Sequence, residues 1–481
     1  MLFCTQKFLF FFLIVFTVYW VTPWPRVRVW ILLSASYYFY QSWNAELARI
    51  IFLTTVVDYL IARGMTTSAR PMRRKALLLL SILGNIAILC YFKYANFFLD
   101  SLRQSLEAAG AKSSIPVLEI ILPIGISFYT FEAISYTVDV FRGKIQAERR
   151  LDHFLLFVLF FPHLVAGPIV RAGDFLPQVH RRKVWGWPRM VVGGRLILLG
   201  LFKKMVIADR LALLVDPVYA NPAGYESAVV WMAVVAYALQ IYCDFSGYSD
   251  IALGCARLLG YRLQINFAMP FAASNIADFW RRWHISLSNW IRDYIYFPLG
   301  GNRASAVRGA FNLILAMTLC GLWHGAAWNF VIFGTLNGIY LVGHRAFRIV
   351  TKNMTALRRM LESTPGKLAC IALTFLVFSL SLVVFRSASQ PDGTTSFEQA
   401  GKMFRQLFVP SMGAGSPTPP VVFWTLLATV VIGHLIALRP NFLSDWNRLP
   451  APVRGFALAS FLFVTLILPP ETSPQFIYFQ F

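Results

Sequence analysis

The sequence predicts an all-α polytopic membrane protein, on three observations: its composition, the succession of apolar runs, and the charge of the loops between them. Of 481 residues, 57% are hydrophobic and 14% charged, against roughly 45–50% and 25% in a soluble domain. The 44 Lys and Arg outnumber 22 Asp and Glu, for a formal charge of +22. These basic residues gather in short loops between apolar runs, where the positive-inside rule puts them, so no nucleic-acid partner is expected. Basic cytoplasmic faces could also help recruit an anionic substrate. The six cysteines, at 4, 90, 243, 255, 320 and 370, lie mostly inside apolar runs without CxxC spacing. They read as small core residues rather than a disulfide framework.

Taken in order, Lys7 to Trp20 is followed by Val-Thr-Pro-Trp-Pro and no small-residue cleavage site, so it reads as a first span rather than a signal peptide. Arg63, Arg70, Arg73, Arg74 and Lys75 form an acid-free, cytoplasmic loop. Residues 76–98 cross to a charge-balanced outer loop, 100–114, and residues 115–141 return to Arg142, Lys144, Arg149 and Arg150. Phe154 to Val170 is apolar but lies between two basic loops and contains Pro162, Gly167 and Pro168. A segment that enters and leaves on the cytoplasmic side satisfies both constraints.

Residues 196–215 cross outward and 229–256 return, and the arginine-rich stretch 257–308 is cytoplasmic. Gly309 to Gly343 holds no Asp, Glu, Lys or Arg. As one helix it would be about 50 Å long against a core of roughly 30 Å. Both flanks are basic, so the run turns inside the membrane, near Cys320-Gly-Leu-Trp-His-Gly325. Residues 368–385 exit, 387–420 form a polar outer loop, 421–438 return, and 455–470 exit again. No internal repeat is visible. The expected organisation is a single integral membrane domain over 1–481 with roughly 10–12 membrane segments, re-entrant ones included.

His324 is the strongest candidate for chemistry. It sits mid-way along the longest uncharged run beside Gly321 and Gly325, which could allow close approach of backbone or substrate. Burial there favours the neutral imidazole, a competent general base; the alternative is a histidine satisfied by a neighbouring helix carbonyl. His284 lies in an aromatic, arginine-rich segment. At helical spacing Trp280, His284, Leu287 and Ile291 share a face near Arg281, Arg282 and Arg292. That face suits a site or, equally in kind, an interfacial anchor. Asp244 and Asp250 could orient a histidine or pair with arginines. His163 is a weak candidate; His153, His180, His344 and His434 carry no specific signal. P-loop, GxGxxG and HExxH patterns are missing, so nucleotide-driven pumping and zinc proteolysis have no support, and no metal is expected.

Several motifs occur in order: Ser127-Phe-Tyr-Thr-Phe-Glu to Asp139, Phe161-Pro-His-Leu-Val-Ala-Gly-Pro168, Asp244-Phe-Ser-Gly-Tyr-Ser-Asp250, Phe279 to Arg303, Trp323-His-Gly325 and an aromatic C-terminus. Together they resemble the membrane-bound O-acyltransferase (MBOAT) family, in its bacterial branch of alginate O-acetyltransferase membrane subunits and D-alanyl-transfer relatives. The resemblance implies a bowl of tilted helices with re-entrant segments around a membrane tunnel, in the bacterial inner membrane. It implies His324 as the catalytic histidine, either as general base or as carrier of the acyl group, and His284 as the second functional one, with Trp323, Trp280, Arg281, Arg282, Asp244 and Asp250 as supporting or tunnel candidates. Acetyl-CoA is the implied acyl donor, with no bound cofactor.

Tyr478, in Phe476-Ile-Tyr-Phe-Gln-Phe481, resembles a tail tyrosine that relays the acyl group; the alternative is an aromatic interface anchor. A separate periplasmic or extracellular serine-hydrolase-like partner is implied, acting on an exported, alginate-like polysaccharide. D-alanyl transfer to teichoic acid and acetylation of peptidoglycan or cellulose are the related alternatives. A transporter would call for two repeated halves with matching broken helices, which the sequence does not display.

Overall fold

The computed structural model describes residues 3–111, 114–165, 167–303, 305–387, 394–410, 412–471 and 476–477. Among them there is no strand; one isolated bridge joins Tyr225 and Ala414. The chain divides into two compact units, residues 1–197 with 249–264, and residues 198–248 with 265–481.

The first unit begins with α1 (Gln6–Val21), α2 (Pro25–Gln41), α3 (Ala45–Thr67) and α4 (Pro71–Leu89). Proline occupies the first turn of α2 and α4, where its missing N–H costs nothing. Asn44 caps α3 by accepting from the amides of Glu46 and Leu47. A π-helical turn, Cys90–Tyr94, carries α4 into α5 (Ala95–Ala108), so that 71–108 is one continuous helix with an apolar stretch long enough to cross a membrane. The return over 115–141 is shorter than expected: its helix, α6, spans only Ile126–Phe141. Pro116 and Pro123 interrupt helical bonding before it, and Gly125 adopts φ 76°, where an added Cβ would meet the Leu164 carbonyl at 2.5 Å.

The segment expected to re-enter is broken into α7 (Leu151–Leu159) and α8 (Phe161–Leu164), with Pro162 in the first turn of α8. At nine residues, α7 is about 14 Å long, too short to cross a bilayer core. Its polar groups are met inside the unit: His163 contacts Glu132 at 3.2 Å and the Phe157 carbonyl at 3.0 Å. On α3, buried Asp58 accepts from Ser81 and Asn85 of α4. Then come α9 (Ala172–His180) and α10 (Trp187–Leu201).

In the second unit a π-helical turn, Phe202–Ala208, leads to α11 (Asp209–Ala220), and α12 runs from Ser227 to Leu258. It continues with α13 (Ile276–Arg282), α14 (Ile285–Ile291), α15 (Ala306–His324), α16 (Trp328–Val350), α17 (Thr355–Glu362), α18 (Thr364–Arg386), α19 (Ser396–Phe408), α20 (Pro420–Ala437), α21 (Phe442–Arg448) and α22 (Ala451–Ile467). Its core joins Val230, Tyr237, Phe279, Trp283, Phe333, Phe378 and Phe385, contributed by α12, α13 and its C-cap, α16 and α18. Five described helices, 71–108, 227–258, 306–324, 364–386 and 420–437, are long and apolar enough to cross a membrane. The fold is thus an all-helical polytopic membrane architecture.

Candidate active site

The expected turn in the uncharged run is present. α15 ends on His324, residues 325–327 turn, and α16 begins at Trp328. Small residues let the two helices touch along their backbones. A Cβ on Gly321 would meet the Phe330 carbonyl at 2.2 Å, and one on Gly334 would meet the Met317 carbonyl at 2.3 Å. At Gly325 the obstacle is the Phe330 ring, 2.1 Å from an added Cβ. The glycines flanking His324 therefore serve helix packing and hold the end of α15 in place.

The imidazole of His324 is buried among rings. Trp323, Phe385 and His284 lie at centroid distances of 5.1, 5.5 and 6.3 Å. Trp323 also contacts His284, at 5.6 Å. The structure thus brings together the two histidines and the tryptophan that sequence spacing alone could not join.

His284 arrives by a route the helical pattern did not reveal. The expected continuous face from Trp280 to Ile291 is interrupted, because the helix breaks between α13 and α14 and His284 takes φ 41°. A positive φ is rare outside glycine and persists only where surrounding contacts enforce it. Here the Ile285 amide donates to the Asn266 carbonyl, and Ser286 Oγ donates to Asn266 Oδ1 at 2.6 Å. Phe245 of α12 packs on the His284 ring at 4.7 Å. Burial pushes the His284 imidazole pKa well below its usual value, and the neighbouring His324 pushes it the same way. His284 is therefore neutral at physiological pH, with lone-pair capacity as well as an N–H.

Asp244 does not meet an arginine; its cation is a lysine. Lys204 Nζ lies 2.8 Å from Asp244 Oδ1 and 2.6 Å from Asp209 Oδ1, all three side chains being buried. Asp244 Oδ2 also accepts from the Ile477 amide at 2.8 Å, which docks the C-terminal segment. Phe476 packs against Tyr248 at a centroid distance of 4.0 Å and neighbours Phe245 at 6.0 Å. Tyr478 itself lies outside the described residues.

Trp280 is buried in the core of the second unit, packed on Phe279. Arg281 is exposed, and Arg282 donates to Asp278 at 2.9 Å. These three shape the surroundings of the break and are not among the rings around His324. Asp250, further along α12, belongs to the first unit and is half-buried. Lys204 was missed in the sequence, although a lysine inside an apolar run that ends at Asp209 was a signal for a buried pair.

A cavity of about 1410 Å³ is lined in the second unit by Ser274, Asn275, Tyr340, His344, Arg345, Arg348, Lys352, Lys367 and Glu362. Its charged lining is cationic except for Glu362, which suits a phosphate-bearing molecule.

Residues 148–385 match the MBOAT, membrane-bound O-acyltransferase family. A "Probable alginate O-acetylase AlgI" of Pseudomonas syringae pv. tomato is 40% identical over 415 residues, covering 85% of this chain and 75% of that protein. The protein of the same description from Pseudomonas putida is 36% identical over the full length of both chains. A "Peptidoglycan O-acetyltransferase" of Helicobacter pylori is 35% identical over 386 residues, covering 75% of this chain and 71% of its own. With identity of this extent over most of its length, the chain belongs to the membrane-bound O-acyltransferase family.

Proposed function

We propose that this protein takes acetyl groups from cytoplasmic acetyl-CoA and passes them across the bacterial inner membrane for O-acetylation of an exported, alginate-like polysaccharide. The observation that carries the reading is the buried pairing of His284 and His324 around Trp323, in a chain so similar to alginate O-acetylases. The two compact units act as one integral membrane domain in this scheme.

In the reaction, neutral His324 accepts the proton of an acceptor hydroxyl as its oxygen attacks the thioester carbonyl. The tetrahedral intermediate collapses with cleavage of the C–S bond, and the imidazolium returns its proton to the departing thiolate. The products are an O-acetyl ester and the free thiol of CoA. His284, fixed by its strained backbone, sets the ring environment of His324 and is the second functional histidine. The cationic cavity beside Arg345 and Arg348 supports docking of the CoA phosphates. Tyr478 is the candidate acceptor hydroxyl; seating of the preceding Phe476 and Ile477 in the second unit supports it. A serine-hydrolase-like acetyltransferase beyond the membrane then completes transfer to the polymer.

The test is transfer from labelled acetyl-CoA by the purified protein in liposomes, parent against His324→Ala at matched folding. Loss of transfer in the variant alone is expected. Equal activity of the two would remove His324 from the mechanism.

A further inference from the structure

Three residues without any motif spacing converge in the first unit. Glu148 sits in the loop after α6, His153 in the first turn of α7, and His180 at the end of α9. A carboxylate oxygen and one ring nitrogen from each histidine lie within 4.8 Å of one another. His180 Nε2 is 2.8 Å from Glu148 Oε2, and the two imidazoles meet edge to face at 4.6 Å. Glu148 and His153 are buried, and His153 Nδ1 is enclosed without a hydrogen-bond partner. An enclosed imidazole nitrogen of this kind costs stability unless something occupies it.

The surroundings have the form that a metal ligand set requires. Glu148 Oε1 accepts from the amides of Arg149 and Arg150, which leaves Oε2 directed to His180. The Glu148 amide donates to Tyr136 of α6, fixing the loop. The guanidinium of Arg150 is occupied by Asp152, at 2.5 Å. The His180 side chain is 51% exposed, which supplies an entry path for an ion.

We propose that Glu148, His153 and His180 bind a divalent transition-metal ion, zinc by preference. Two imidazoles with one carboxylate suit zinc and its neighbours, whereas calcium and magnesium take all-oxygen sets. Tetrahedral zinc with ligands at about 2.0–2.1 Å separates them by about 3.4 Å, so side-chain rotations on the order of 1 Å close the site around the ion. A water fills the fourth position. The ion fastens the loop after α6 to both α7 and the end of α9.

The experiment uses the full-length protein purified without a polyhistidine tag and stripped with chelator. Zinc retained after desalting is measured by mass spectrometry, and Co²⁺ loading by visible absorption. About one zinc per chain is expected, with the ligand-field bands of low-coordinate Co²⁺. Both are lost in His153→Ala/His180→Ala and kept in His284→Ala/His324→Ala. Binding by the parent no greater than by the first double variant overturns the proposal, as does loss in the second alone. Should the first double variant fail to fold, Glu148→Gln decides: an affinity loss of about 10-fold or more supports the site, and unchanged affinity overturns it.

Discussion

His284 and His324 lie 6.3 Å apart, ring centroid to ring centroid, with their planes at 61°. Chain separation between them is forty residues, yet one indole, that of Trp323, touches both. The proposed reaction needs one reacting group, and an enclosure this small has both imidazoles facing it together. Replacing His324 with Ala is expected to lower the single-turnover rate of acetyl transfer by about 10²–10⁴-fold. Adding His284→Ala to that variant costs little more, because members of a unit are not additive. Multiplicative losses in the double variant would show that the two act independently.

Acid should weaken the second unit. His284 is held neutral by burial, and its pKa lies well below the ordinary value. The unfolded chain therefore binds its proton below pH of about 6.5 while the folded chain does not. Stability contributed by the neutral ring is complete above that pH and declines as pH falls toward the folded pKa. Thermal unfolding in detergent between about pH 5 and 8 should record a shallower decline in His284→Gln than in the parent.

Lys204 neutralises two buried carboxylates, Asp209 and Asp244. Lys204→Met leaves both uncompensated and is expected to destabilise by about 3–5 kcal/mol, read as a lowered unfolding midpoint. The triple replacement with Asp209→Asn and Asp244→Asn recovers much of that loss. Failure of the triple variant to improve on the single one would assign the loss to packing.

The basic cavity should affect donor affinity more than chemistry. Arg345→Glu/Arg348→Glu is expected to raise KM for acetyl-CoA at least several-fold, with kcat changed less. A fall in kcat at unchanged KM would place the donor elsewhere. Steady-state kinetics in liposomes separates the two outcomes.

Apolar length, loop charge and chain breakers made much of this molecule legible in the sequence. The turn after His324 follows from an uncharged run too long for one crossing, between basic flanks. The broken helix at 160–164 follows from Pro162 within an apolar stretch bounded by arginines. Less was visible where the third dimension decides. Residues 115–125 read as part of a span by hydropathy, but their prolines and Gly125 delay the helix to Ile126.

His284 seemed to belong to a continuous helical face, since nothing in its neighbours' residue types announces a positive φ; contacts to Asn266 impose it. Lys204 and Asp244 are 40 positions apart, so their pairing is a property of packing alone. For the same reason Glu148, His153 and His180 gave no motif: their spacing matches no local pattern, and only the fold assembles them.

The backbone contact at Gly321 and Gly334 gives α15 and α16 a mechanical character. At those two glycines no side chain separates the backbones, so the seam there has no soft layer to compress and the hairpin is stiff against bending. Its loaded tip is His324. Its other end, on α16, carries Arg345 and Arg348 at the rim of the cationic cavity. A side chain added at Gly321 or Gly334 would force the seam apart and displace the end of the hairpin that carries His324.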